Sequence, residues 1–123
     1  MTIAYWCVFA AAILPYIFTA IAKIGAPGFS NRRVRECQDK LEGWRKRAHW
    51  AHQNGHEAFP PFAAGVIIAH LVGAKQQTID ILAVTFVVFR IVYGICYLTD
   101  KPTLRSLAWA VPFISMIALF FIG

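Results

Sequence analysis

The chain has 123 residues, of which 59% are hydrophobic and only 15% are charged. A soluble domain carries about 25% charged residues and about 45–50% apolar ones, so this composition argues against a soluble protein and for one that faces lipid. The net charge is +6, and eight of the twelve basic residues lie between Lys23 and Arg47. That cluster lies between hydrophobic stretches, which indicates a membrane-flanking loop and argues against a nucleic-acid partner.

The hydrophobic pattern predicts four membrane-crossing helices. A helix needs about 20 apolar residues to cross a bilayer, and the first stretch meets this length. The second helix is polar at its start, becomes apolar at about Ala58 and contains Pro60 and Pro61. The expected helices cover residues 3–24, 32–73, 78–98 and 103–122. The predicted fold is therefore all-α, with one transmembrane four-helix bundle domain over residues 1–123.

Three polar side chains are suitable helix caps, because short hydroxyl and amide side chains accept hydrogen bonds from free N–H groups at helix starts. Ser30 and Asn31 precede the second helix, and Thr78 stands at the start of the third. We therefore expect these residues to mark the two helix N-termini.

The distribution of Lys and Arg among the loops predicts the orientation in the membrane, because basic loops stay in the cytosol. The first loop holds the basic cluster, and the third holds Lys101 with Arg105 just after it. The second loop has only Lys75. Both chain ends are therefore expected on the non-cytosolic side.

Polar residues inside membrane spans are costly, so they indicate a function or a specific partner. Two polar stripes follow from the helical period of about 100° per residue. The stripe on the second helix consists of Arg47, Asn54 and Glu57, and the stripe on the third helix consists of Arg90, Tyr93 and Tyr97. These stripes are expected to face each other or a partner subunit.

Glu57 and Arg90 are the obvious charge pair between the two stripes. One interpretation is structural: a buried ion pair that fixes the register of the helices. The other is that the pair forms part of a binding site, since perturbed charges cluster at such sites. The spacing alone leaves both interpretations open.

His49, His52 and His56 are spaced as one face of the second helix, nearly opposite Asn54 and Glu57. Such spacing is compatible with metal binding. A membrane di-metal centre needs further ligands from other helices, and only His70 remains, more than three turns away. Interfacial polar histidines are the simpler interpretation, and no metal site is expected.

Three ordered motifs make the chain similar to a known family. The run Arg47 to Phe62, RAHWAHQNGHEAFPPF, resembles the A-[HQ]-x-N-x-x-E signature of the MAPEG family, membrane-associated proteins in eicosanoid and glutathione metabolism. The segment Arg90 to Tyr97, RIVYGICY, resembles the family's A-R-x-x-[HY]-x-x-x-Y motif, with Phe89 in place of Ala. Leu104-Arg105-Ser106 resembles the opening of the fourth helix in the prostaglandin synthase branch. The resemblance extends over the whole chain.

The resemblance implies a homotrimer of four-helix subunits in the membrane, here a short bacterial-type member placed in the inner membrane. Catalytic members bind glutathione as cosubstrate between neighbouring subunits near the cytosolic side and activate its thiol. They transfer it to electrophilic lipids or xenobiotics, reduce hydroperoxides, or isomerise a prostaglandin endoperoxide.

The resemblance also implies roles for individual residues. Asn54 and Glu57 would hold the glutathione backbone, and Tyr93 and Tyr97 would line its other side. The remaining implied site residues are Arg47 and Arg90 as further glutathione-binding groups, and Arg105 with Ser106 as catalytic groups beside the sulfur. A guanidinium there favours the thiolate over the thiol.

One position departs from the catalytic pattern. Several catalytic members have an Arg directly before the A-[HQ]-x-N core that binds a glutathione carboxylate, and this chain has Trp50 there. Arg47, one turn earlier on the same face, is the expected substitute, with Arg45 or Arg32 as alternatives.

The expected function is that of a glutathione-dependent membrane transferase or peroxidase, which acts on hydrophobic electrophiles or lipid hydroperoxides. Two alternatives stay open: a non-catalytic member of the same fold that binds lipid or regulates a partner, and an unrelated small membrane protein. The sequence does not indicate which electrophile is used.

Overall fold

The computed structural model describes residues 1–123, and the chain is all-α as predicted. Five α-helices follow one another without any β-strand. They are α1 (Ile3–Lys23), α2 (Val34–Asp39), α3 (Gly43–Leu71), α4 (Gln76–Leu98) and α5 (Pro102–Leu119), and a 3₁₀ turn over Asn31–Arg33 precedes α2. The long helices pack side by side, with α3 against α1 and α4 against α5 as the most extensive contacts.

Three of these helices are long and apolar enough to cross a membrane, namely α1, α4 and α5. Over 18 residues, the mean hydropathy is 1.8 for α1, 2.2 for α4 and 1.3 for α5. The helix α3 is longer than any of them, but its first turns carry Arg45, Lys46 and Arg47. The crossing of the membrane by its apolar second half, from about Ala58, stays a prediction.

The expected second helix over residues 32–73 is wrong in one respect, because the chain breaks between α2 and α3. Gly43 has a φ of +60°, a left-handed conformation that glycine adopts without steric penalty. The α2 helix ends at Asp39, and α3 restarts at Gly43. The basic segment therefore forms a short separate helix instead of extending α3.

The helix ends test the predicted caps. Ser30 accepts a hydrogen bond from the Arg32 N–H at 3.2 Å, as expected for a cap. Thr78 does not cap α4, because that helix already begins at Gln76. The last helix runs from Pro102, whose fixed φ suits a first helical position, and ends at Leu119, before the expected residue 122.

Aromatic and small residues form the core between α1, α3 and α4. The rings of Phe62 and Phe86 stack at 3.8 Å between centroids, and both side chains are buried. The α1 helix contributes Ala4 and Ala11, both buried, whose small size allows neighbouring helix backbones to approach closely.

Three consecutive basic residues at the start of α3 join the ends of three other helices. Arg45 donates to two carbonyls at the end of α1, at 3.2 and 2.6 Å. Lys46 donates to the Asp39 carbonyl at the end of α2 at 2.6 Å, and Arg47 donates to the Leu98 carbonyl at the end of α4 at 3.2 Å. Carbonyls at helix C-termini carry partial negative charge and lack helical partners. These three residues therefore hold the ends of α1, α2 and α4 against the start of α3, near the site described next.

Candidate functional site

A groove on the surface between α3 and α4 brings the two polar stripes together. Its volume is about 340 Å³. Its lining residues are Trp50, Gln53, Asn54, Glu57, Tyr93 and Tyr97. Four of the six residues expected to bind glutathione therefore lie on one groove, here called the tyrosine groove. Arg47 and Arg90 are not among its lining residues.

The tyrosines of this groove lie between two arginines. The guanidinium of Arg90 is 4.5 Å from the ring centre of Tyr93, and that of Arg105 is 4.6 Å from the ring centre of Tyr97. The two tyrosine rings are perpendicular, with centroids 5.6 Å apart. Guanidinium groups are attracted to aromatic faces, and perpendicular ring pairs are favourable. The row of four side chains thus runs from the interior at Arg90 to the start of α5 at Arg105.

Arg105 and Ser106 lie in the first turns of α5, where the free N–H groups give positive potential. Arg105 is partly exposed and faces the tyrosine groove through Tyr97. The Ser106 hydroxyl is exposed and donates to the Pro102 carbonyl at 3.1 Å. Its proton is therefore engaged within the helix, and a bond from Ser106 to a ligand requires that this bond be exchanged.

Asn54 and Glu57 offer acceptor oxygens to the groove. The Asn54 Oδ1 is buried and has no hydrogen-bond partner within the chain. Most buried acceptors are paired, and an unpaired one is energetically unfavourable. Glu57 is exposed. Both oxygens suit a ligand that carries N–H groups.

The expected ion pair between Glu57 and Arg90 is absent from the chain. The only ion pairs are Arg33–Glu36 and Lys40–Glu36. Glu57 is exposed, whereas Arg90 is only 5% exposed. The helical wheel gives the direction of each side chain but not its exposure or its distance from a partner.

Arg90 lines a second cavity, which is distinct from the tyrosine groove and lies between α3, α4 and α5. Its volume is about 190 Å³, and it is here called the inner cavity. Its other walls are Asn54, Glu57, Ala58, Pro61, Phe86, Trp109, Pro112, Phe113 and Met116. Arg45 and Arg47 are the arginines whose side chains donate hydrogen bonds. Arg90 therefore makes no ion pair within 4.0 Å and no side-chain hydrogen bond, although Glu57 lines the same cavity.

Three arginines were considered as substitutes for the arginine that is missing at the Trp50 position. They differ in whether their side chains are free to bind a ligand. Arg45 is engaged by the end of α1. Arg47 uses one terminal nitrogen on Leu98, but its Nε is buried without a partner, so it has a donor free. Trp50 itself lies at the groove, with its ring 6.2 Å from that of Tyr97. Arg32 is exposed on the 3₁₀ turn.

The histidines lie on the other side of α3, as the helical wheel predicts. The His52 Nδ1 is 3.1 Å from the Pro15 carbonyl, and the His56 ring is 5.2 Å from the Tyr16 ring on α1. His49 is buried, and its Nδ1 has no partner. Burial, aided by the Lys46 charge, lowers the pKa of His49 below its usual range, which favours neutral imidazole.

The sequence pattern did not single out the apolar wall of the inner cavity. Trp109 and Phe113 stand four and eight residues after Arg105, which places them on the same face of α5. Their rings stack at 4.8 Å. The i, i+4, i+8 spacing of Arg105, Trp109 and Phe113 was therefore visible in the sequence. The same spacing of apolar residues is found on any helix surface that faces lipid, so it did not indicate a cavity.

Comparisons with known proteins agree with the motifs. The MAPEG family model matches residues 3–123, which is essentially the whole chain. Neither the curated proteins nor the solved structures gave a match. Together with the three helices able to span a bilayer, the match identifies an integral membrane protein.

Proposed function

The chain belongs to the MAPEG family, and we propose that it is a glutathione-dependent transferase or peroxidase that acts on hydrophobic electrophiles or lipid hydroperoxides. The family includes both such enzymes and non-catalytic members. The observation that carries the proposal is the tyrosine groove, where Asn54, Glu57, Tyr93 and Tyr97 meet and Arg105 stands over Tyr97.

Glutathione binding uses the acceptors and aromatic faces of the groove. The unpaired Asn54 Oδ1 is buried in the single chain, and a turn of its side chain towards the groove lets it accept a hydrogen bond from an amide N–H of the tripeptide, which removes a buried unpaired acceptor. Glu57 binds the glutathione ammonium group. Tyr93 and Tyr97 pack against the opposite side of the peptide. Arg47 does not line the groove and its Nε is buried, so its bond to a glutathione carboxylate requires the side chain to turn towards the groove.

Arg105 supplies the chemistry by favouring the thiolate. A free thiol with a pKa near 8.5 is mostly protonated at neutral pH. A guanidinium beside the sulfur stabilises the anion, and it does so more strongly in a lipid-shielded groove than in water. The N-terminus of α5 adds positive potential at the same place. The Ser106 hydroxyl then exchanges its bond to Pro102 for one to the sulfur.

Assembly as a homotrimer completes the site in this proposal, with glutathione held between subunits. The support is the open side of the tyrosine groove, whose Trp50 and Glu57 side chains are exposed in the single chain. Both termini face away from the cytosol of a bacterial inner membrane. A cysteine at Phe29 is therefore expected to react with impermeant reagents only from the cytosolic side.

The experiment that tests the function compares the wild type with Arg105→Ala and uses Lys101→Ala as a matched loss of charge nearby. Arg105→Ala is expected to lower turnover about tenfold to a thousandfold and to weaken the ultraviolet thiolate absorbance that appears with glutathione. Lys101→Ala should retain both. An equal thiolate signal in wild type and Arg105→Ala would show that Arg105 is only a membrane anchor.

A non-catalytic, lipid-binding or regulatory role is the second candidate, and Trp50 favours it because several catalytic members have an arginine at that position. Protection by glutathione against heat unfolding distinguishes the two, since a ligand that binds only the folded state raises its stability. Native mass spectrometry in mild detergents tests the trimer.

A further inference from the structure

We propose that the inner cavity binds the second substrate, and that this substrate is a flat, conjugated carbonyl compound whose oxygen is held by Arg90. This inference rests on the proposed function, and it names the electrophile that the glutathione thiolate attacks. It also gives Arg90 a role apart from glutathione, in line with its absence from the tyrosine groove.

The inner cavity opens towards the apolar surface of the protein. Trp109 and Phe113 form its outer wall and are 41% and 42% exposed. Both belong to α5, a helix able to span the membrane, so their exposed surfaces are accessible from lipid. Their rings are nearly parallel, with 14° between their planes. An apolar compound dissolved in lipid can therefore enter from the side, and a flat conjugated one can pack against these rings.

Arg90 makes no side-chain hydrogen bond and no ion pair within 4.0 Å, although Glu57 lines the same cavity. A buried cation without a close partner is strongly unfavourable. A carbonyl oxygen accepts its hydrogen bonds in the ground state. The same donors stabilise far more strongly a negative charge that develops on that oxygen during reaction. The negative charge that develops on the carbonyl oxygen thus gives Arg90 an anionic partner during the reaction.

The cavity also lies within reach of the sulfur. Trp109 follows Arg105 by four residues on α5, a separation of about 6 Å along the helix axis. Arg90 lies eight residues before the end of α4, and Trp109 seven residues after the start of the adjoining helix α5. The two helices are antiparallel, so Arg90 and Trp109 are at similar depth. A substrate between them presents its reactive carbon towards the thiolate at Arg105.

The proposed step is a conjugate addition. The thiolate sulfur donates an electron pair to the carbon β to the carbonyl, and a carbon–sulfur bond forms. The carbon–carbon π pair moves to form the enolate, whose negative oxygen is bound by Arg90. A proton from water, equivalent to the one that the thiol released, then adds to the α carbon and restores the carbonyl. The product is a thioether, and nothing is oxidised or reduced overall.

Two ring-bearing electrophiles test the role of Arg90 in catalysis. Benzylideneacetone is a conjugated ketone, whereas benzyl chloride has a similar ring but no oxygen acceptor. With Arg90→Met, kcat/KM for benzylideneacetone is expected to fall about tenfold to a thousandfold, whereas that for benzyl chloride and the glutathione thiolate signal are expected to persist. Equal losses for both electrophiles, or no loss for the ketone, would overturn the proposal and leave the proposed function intact.

A binding measurement tests the site without turnover. Benzylacetone, the saturated ketone, cannot react, and its binding is followed by tryptophan fluorescence without glutathione, with Trp109→Phe to identify the reporting residue. We expect wild type to bind it and Arg90→Met to bind it at least about tenfold more weakly, with Arg90→Lys in between. If Arg90→Met does not fold, Phe113→Ala provides the same comparison at the apolar wall. Absence of binding to the wild type would refute the site, even if glutathione binds normally.

Discussion

The guanidinium of Arg105 lies 4.6 Å from the ring centre of Tyr97, so the first turn of α5 is held against the last turn of α4. A cation over an aromatic face is worth roughly 0.5–2 kcal/mol, depending on its exposure to solvent. This contact also fixes where the proposed thiolate-binding group stands.

The ring of Tyr97, rather than its hydroxyl, is expected to position Arg105. Tyr97→Phe retains the ring and should preserve the thiolate absorbance and turnover. Tyr97→Leu removes the aromatic face and should reduce both by about tenfold, since small displacements of a catalytic group have large effects. Ultraviolet absorbance with glutathione and steady-state kinetics measure the two. Equal losses in both variants would assign the role to the hydroxyl.

The basic triplet at the start of α3 should contribute unequally to stability. Arg45 makes two bonds to the end of α1, one of them partly buried, whereas the Lys46 bond is exposed. Arg45→Gln is therefore expected to lower the free energy of unfolding by about 1–2 kcal/mol, and Lys46→Gln by less than about 0.5 kcal/mol. Denaturation in mixed micelles compares them, and similar losses would contradict the helix-end role of Arg45.

Stability should fall as the pH is lowered, in part because of His49. Burial and the Lys46 charge lower the pKa of His49 in the folded state, so below about 6.5 the unfolded chain takes up a proton more readily. The stabilisation by neutral His49 is present above that pH and is lost as pH falls through the folded pKa. The unfolding temperature of His49→Gln should therefore decline less on acidification. An unchanged decline would exclude His49 as a source.

Sequence periodicity was sufficient to predict the long helices. It also predicted that Asn54, Glu57, Tyr93 and Tyr97 lie on two facing stripes, because the helical period fixes which residues share one face. It was insufficient for Arg90, since a helical wheel gives the direction of a side chain and not its distance from a partner, and Glu57 and Arg90 form no ion pair within 4.0 Å. The break before α3 was missed because Gly43 lies in a polar segment, where a single glycine is weak evidence against a helix.

The absence of an ion pair between Glu57 and Arg90 leads to a prediction of weak coupling. Because no ion pair joins them although both line the inner cavity, the free-energy changes of Glu57→Gln and Arg90→Met should add within about 1 kcal/mol in the double variant. Glu57→Gln alone should be nearly neutral, since its side chain is exposed. A coupling above about 1 kcal/mol, measured in micelles, would mean that the pair forms in the membrane.

Among the glycines, Gly94 on α4 leaves the least space for a β-carbon, because it faces Phe18 on α1. A β-carbon added at Gly94 would overlap the Phe18 ring, whose side chain is buried. Gly94 also follows Tyr93 directly, so this contact lies beside a residue of the tyrosine groove.

Gly94→Ala is therefore expected to destabilise the protein by about 1–3 kcal/mol, because a packed core has no room for the extra methyl group. Phe18→Leu alone removes ring contacts and should also destabilise it. In the double variant, the smaller leucine leaves space for the methyl group, so the loss should be less than the sum of the two. Unfolding in mixed micelles measures all three variants. Strict additivity of the two core changes would show that α1 and α4 do not meet at this point.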